Sequence, residues 1–126
     1  MLREPIASGG MATVWKADDA VLGRSVAVKL LHPHLAGDHE FVERFRDEAK
    51  AAARLSHPSI VAIYDTASED GLEAIVMELI EGITLRQYLD DFGMLSIEDA
   101  VDLARQVADA LEAAHAARLV HRDIKP

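Results

Sequence analysis

Residues 24–55 read RSVAVKLLHPHLAGDHEFVERFRDEAKAAARL, an apolar run followed by a charged, periodic one. The first eight residues suit a strand, because Val26, Val28 and their neighbours are good strand formers. Side chains alternate along a strand, so Lys29 shares a face with Ala27. An ammonium there is costly unless an anion meets it or its stem carries it to solvent. Asp38 is a good cap for a helix reaching about Leu55. On that helix Phe41, Phe45, Glu48, Ala52 and Leu55 form one stripe, with Glu43 and Asp47 off it. A strand followed directly by a helix usually packs against it. Glu48 is therefore the candidate partner of Lys29; the plainer reading is a hydrated glutamate at the stripe edge.

The flanking sequence supplies more strands. Residues 11–17 (MATVWKA) follow a glycine pair and suit a strand, and residues 22–24 (LGR) suit a turn. Pro58 breaks the chain after the helix. Residues 60–67 and 72–79 read as a strand pair around a turn at 68–71. Thr84 can cap a short helix ending near Gly93, and Ser96 with Asp99 forms a capping pattern. A long helix follows, with Ala100, Leu103, Ala104, Val107, Leu111 and Ala114 at helical spacing. The predicted order is strand, strand, helix, strand, strand, helix, helix. That is an α+β domain of antiparallel strands with one inserted helix.

The chain has 126 residues, half of them hydrophobic, which is enough for one packed core. Its 22 acidic and 13 basic residues give a net charge of −9, which disfavours a nucleic-acid surface. There is no cysteine, so disulfides and thiolate metal sites are excluded. No apolar run approaches the ~20 residues of a membrane span, and MLREPIASGG lacks the apolar core of a signal peptide. A cytoplasmic location is the default expectation. His32, His34 and His39 have no fixed ligand spacing, so no metal is assigned to them.

Residues 6–14 (IASGGMATV) form a small glycine loop that runs into the first predicted strand. Glycines let backbone N–H groups approach phosphate oxygens, although a bare glycine pair is more often a turn. It is neither a Gly-Lys-Ser/Thr phosphate loop nor the start of a dinucleotide fold, because a strand follows it.

The end of the chain, HRDIKP (121–126), completes a series. With SGGMATVWKADD, VAVKLL, FRDEAKAAARLSHPSIVAIYD and IVMELIEGITL, in that order, it resembles the bacterial serine/threonine branch of the protein kinase superfamily. The resemblance covers essentially the whole chain. It implies an ATP-binding lobe over residues 1–77, a hinge at 78–82 and the start of the helical lobe at 83–126. It further implies that Ile6, Ala7, Ser8, Gly9, Gly10, Met11 and Ala12 cover the phosphates of ATP. Val14 and Ala27 would sandwich adenine from above. Lys29 would bind the α- and β-phosphates with Glu48 as its partner, and Met77 would close the back of the pocket. Backbone groups of Glu78 to Ile80 would hydrogen-bond adenine. Asp123 would be the catalytic base, Arg122 would meet a phosphorylated activation loop, and Lys125 would neutralise the transferring phosphoryl group.

Ala7 and Ala12 stand where the family pattern has glycine, which puts loop closure in question. Asp91-Phe92-Gly93 matches the family's metal-binding tripeptide in letters, but lies 32 residues before Asp123 and so on the wrong side of it. Gly93 is placed to end a helix instead. The family's magnesium-binding Asn falls at position 128, past Pro126, and the first strand normally starts earlier than MLREPI allows. The expectation is that both ends lie inside the domain, that Mg2+ belongs to the complete parent, and that the isolated chain is inactive. Its long helix would then expose apolar surface. The implied partners are proteins with Ser or Thr hydroxyls, and a homodimer through the sheet lobe. The alternative is a non-catalytic nucleotide-binding or regulatory module. A small-molecule kinase fits HRDIK less well.

Overall fold

The computed structural model describes residues 1–126, in two compact units. The first, Met1–Ser56 with Val61–Ile80, holds the sheet and one helix. Strands β1 (Leu2–Ser8), β2 (Ala12–Asp19) and β3 (Arg24–Leu31) precede helix α1 (His39–Ala53), and β4 (Ile63–Glu69) and β5 (Leu72–Met77) follow it. All neighbours are antiparallel, in the order β1-β2-β3-β5-β4. Five strands form where sequence patterning gave four. The addition is β1, whose residues are all exposed and show no alternation; it is defined by its ladder to β2. The fourth strand starts at Ile63 rather than residue 60, because Ile60 N–H turns back to the His57 carbonyl.

Turn chemistry sets the hairpins. Asp19 Oδ1 accepts from the N–H groups of Val21 and Leu22, and Gly23 at φ 65° closes the β2–β3 turn. Asp70 and Gly71, at φ 49° and 78°, make the two-residue β4–β5 turn with the positive φ pair that a tight hairpin needs.

Helix α1 starts at Asp38, whose side chain accepts from the Glu40 N–H. Its buried residues are Val42, Phe45 and Ala49, which pack with Ala12, Leu31 and Ile75 to form the core. This corrects the stripe inferred from sequence. The buried line is centred between Phe45 and Val42, which places Glu48 about 90° away from it at 3.6 residues per turn. Glu48 is exposed. Phe41 sits at the margin, half-buried, with the Arg44 guanidinium 5.6 Å from its ring centroid.

The charge that α1 does bury against the sheet is a different one. Glu73 on β5 is 7% exposed. It accepts from Arg46 Nε at 3.0 Å and again from Arg46 Nη2, and Ser68 Oγ donates to it at 2.7 Å. The Arg46 hydrogen bond outweighs desolvation and holds the Glu73 carboxyl below its ordinary value of 4.5. A carboxylate with a lowered value contributes stability above its unfolded value, and that contribution fades as pH falls through the folded one. Glu73→Gln is expected to cost about 2 kcal/mol at neutral pH, read by urea denaturation. The difference from the parent should shrink below pH 4.5; an equal difference at all pH values would refute the ionic account.

The second unit, His57–Ile60 with Glu81–Pro126, holds α2 (Leu85–Phe92) and α3 (Ile97–Ala116). Thr84 Oγ1 accepts from the Gln87 N–H and Ser96 Oγ from the Asp99 N–H, as capping patterns require. Gly93, at φ 83°, ends α2 by donating to Leu89 O. Asp91-Phe92-Gly93 is thus a helix end. Neither helix buries a residue; of the predicted apolar stripe of α3, Val107 is exposed and Leu103, Leu111 and Ala114 are half-buried, and Phe92, Met94, Ile97 and Val101 are exposed as well.

Candidate nucleotide site

The β-ladder decides which predicted residues share a surface. Val14 lies opposite Lys29, Lys29 opposite Ile75, and Ala27 opposite Met77. Opposed residues of an antiparallel pair project to the same side, as do residues two apart. Ala12, Val14, Ala27, Lys29, Leu31, Ile75 and Met77 therefore occupy one face. Its Leu31 end is covered by α1. Val14, Lys29 and Met77 are half-buried and Ala27 is buried.

The loop at the end of this face joins Ser8 to Ala12. Gly9 N–H donates to Ala12 O at 2.9 Å, closing the turn. Gly9 and Gly10 are exposed and neither adopts a positive φ. Ala7 is a β1 residue opposite Val14, and Ala12 is the first residue of β2, opposite Leu31 and 6% exposed. Both alanines sit in extended ladder backbone, where a Cβ is accommodated. The concern that they deprive the loop of φ > 0 does not apply to this geometry. Ile6 and Ser8 are exposed on β1, and Met11 packs at the core edge.

Lys29 and Glu48 are not brought together: no ion pair within 4.0 Å joins them. The ion pairs of α1 are instead His39–Glu43 and Arg44–Glu40 along its surface and Arg46–Glu73 toward the sheet. Lys29 is a half-buried cation on a face it shares with Lys16 and Glu73, and no anion of this chain is bound to it.

After Met77, Glu78 N–H donates to Ala62 O at 2.9 Å, and Glu78 Oε1 accepts from the Ala62 N–H at 3.1 Å. Glu78 is thereby tied to the segment before β4. Its carbonyl and the N–H of Ile80 are in no hydrogen bond of the structure. They are a ready acceptor and donor on the segment that follows β5.

In the second unit, His121 Nδ1 accepts from the Asp123 N–H at 3.1 Å. Lys125 Nζ lies 3.3 Å from Asp123 Oδ2, with both side chains 71% exposed. Arg122 between them has φ 67°, the left-handed region that a non-glycine residue enters at a cost of about 1–3 kcal/mol. Such outliers concentrate where a loop is held in a working shape.

Two networks were not anticipated from sequence. One is Arg46–Glu73–Ser68, whose members are 5 and 27 residues apart. The other is Ser8–Thr13–His32, at the base of the glycine loop. The partner that His32 meets is a hydroxyl, that of Thr13.

Residues 2–126 match the protein kinase domain family. The serine/threonine-protein kinase PrkC of Bacillus subtilis is 47% identical over 121 residues, which cover 96% of this chain and 19% of PrkC. The chain thus spans about a fifth of that relative's length. The PknI kinase domain of Mycobacterium tuberculosis superposes with a TM-score of 0.81 at 33% identity, over 99% of this chain and 51% of that one. Rad53 1-466 in complex with AMP-PNP superposes at 0.84 with 26% identity, over 98% and 32% respectively.

Proposed function

We propose, from the premise that this chain belongs to the protein kinase family, that it forms the ATP-binding portion of a serine/threonine protein kinase, with the whole protein transferring the γ-phosphoryl group of ATP to Ser or Thr hydroxyls of proteins. The observation that carries this reading is the sheet face on which Val14, Ala27, Met77 and Lys29 converge beside the glycine loop. The relatives' names support the reaction class, and AMP-PNP bound to Rad53 supports an adenine nucleotide.

The residues fit that ligand. Ala27, Val14 and Met77 supply apolar surface for a flat base, and the Glu78 carbonyl and Ile80 N–H supply one acceptor and one donor for its edge. Lys29 offers an unpaired ammonium to phosphate oxygens, and Gly10, whose N–H is in no hydrogen bond, brings that group close with no Cβ between. ATP supplies the phosphoryl group. Lys29 steadies the phosphates, assisted by Glu48 once α1 brings it within reach. Asp123 takes the proton of the substrate hydroxyl, held in place by the His121 contact. Lys125, already beside Asp123, offsets charge on the transferring group. Mg2+ accompanies ATP in the whole protein, and no ligand to it is assigned to residues 1–126. Residues 1–77 act as the nucleotide lobe, 78–82 as the connection and 83–126 as the start of the substrate-side lobe, in the cytoplasm where ATP is abundant.

The test is transfer of labelled γ-phosphate to a generic protein substrate by the full-length protein. Label on Ser and Thr, reduced at least about a hundredfold in Asp123→Asn, is the expected result. Transfer unaffected by Asp123→Asn would refute the assignment. The unpaired Lys29 and Glu48 favour one second reading, a nucleotide-binding regulatory module that associates through its sheet lobe; ATP binding without transfer would select it.

A further inference from the structure

We propose that His32 and Thr13 are positioning residues for the phosphate-covering loop, bolting its two limbs together from the sheet face opposite Lys29. The proposal rests on the nucleotide reading above.

Ser8 and Thr13 are the last cross-strand pair before the β1–β2 loop. Their hydroxyl oxygens are 3.2 Å apart, and Thr13 Oγ1 is 3.0 Å from His32 Nε2. The backbone of His32 holds the same limb, since its N–H donates to Met11 O at 2.8 Å. One residue just past β3 therefore grips the returning limb twice, at Met11 by backbone and at Thr13 by side chain. Thr13 passes the contact to Ser8 on the outgoing limb.

The ladder places this chain of bonds. Thr13 lies opposite Leu30, and His32 is two residues beyond Leu30, so all three share the face away from Val14 and Lys29. No group in the network competes for a nucleotide on the Lys29 face. The network works whichever way its protons run. Either Nε2–H donates to Thr13 and Thr13 to Ser8, or Ser8 donates to Thr13 and Thr13 to Nε2.

The consequence concerns Gly9 and Gly10. Neither is held by a positive φ or by close packing; a Cβ at Gly9 would meet only Ala12 O at 3.9 Å, and one at Gly10 would meet nothing. Gly9 N–H is fixed on Ala12 O, and the direction of the free Gly10 N–H is then set by the ends of the loop. Tying Ser8, Thr13 and Met11 to His32 fixes those ends. Groups so preorganised bind phosphate without an ordering cost, and small displacements are expensive in affinity.

The experiment measures affinity of the full-length protein for magnesium AMP-PNP and, separately, for adenosine, in His32→Phe, Thr13→Val and Thr13→Ser. The phosphate-bearing ligand should weaken about five- to tenfold in the first two variants, the effect of losing roughly one hydrogen bond. Adenosine should be unchanged, and Thr13→Ser should match the parent. Equal weakening of both ligands would show a general role in folding and overturn the proposal, as would unaltered AMP-PNP affinity. Thr13→Val keeps side-chain volume, so it remains informative where His32→Phe lowers the melting temperature. Failure of the parent protein to bind either ligand would instead refute the nucleotide reading itself.

Discussion

Lys29→Ala in the full-length protein is expected to lower phosphoryl transfer from MgATP about a hundredfold, the usual effect of removing a donor that meets developing charge. Lys29 is held between Val14 and Ile75 in the middle of a three-strand ladder, so its stem has little freedom. It is half-buried and no carboxylate of this chain occupies it. A cation in that state is poised for an external anion, and the proposed nucleotide would bring its phosphates there. Lys29→Arg should not restore activity, because a planar fork replaces a compact ammonium in a confined site. Transfer measured at saturating ATP separates lost chemistry from lost binding. Full activity in Lys29→Ala would remove the residue from the site.

The largest effect on stability is expected from Leu31→Ala, about 3 kcal/mol. Leu31 is 1% exposed, the most deeply buried large side chain, and lies among Ala12, Val42, Phe45, Ala49 and Ile75. It joins β2, β3 and α1 at one point. The core of this unit is small, with few large side chains to close over the space left behind. Urea denaturation should show a lower midpoint; a shift under about 1 kcal/mol would mean that the core relaxes around the cavity or that α1 contributes little.

The α1 geometry joins these two results. Arg46 is engaged with Glu73 while Glu48, two residues on, is exposed. Residues two apart on a helix point about 200° apart. The orientation that satisfies Arg46 is therefore the one observed, with Glu48 away from Lys29. Lys29 and Glu48 are not paired in this arrangement.

Much of this architecture was legible in the sequence because it is local. Asp38, Thr84 and Ser96 each cap the helix they were expected to cap, and Gly93 ends α2. Lys29 and Ala27 share a face because a strand has period two. What the sequence hid depends on distant partners. Strand β1 carries no alternation, since its identity comes from the ladder to β2. Aromatic residues weigh heavily in a sequence pattern, which favours a stripe through Phe41, whereas Val42, Phe45 and small Ala49 define the buried line. Glu73 looked like one acidic residue of a strand, and only the fold brings Arg46 to it across 27 positions. The Ser8–Thr13–His32 chain was hidden for the same reason, with 19 positions between Thr13 and His32.

The account turns on whether the nucleotide phosphates meet the Lys29 face. An acyl-phosphate derivative of ATP transfers its acyl group to a lysine held beside the phosphates, and mass spectrometry then identifies the lysine. Lys29 should be acylated in the full-length protein, and excess ATP should abolish its labelling. Lys29 left unlabelled, or labelled equally with and without excess ATP, while exposed Lys50 reacts, would contradict it.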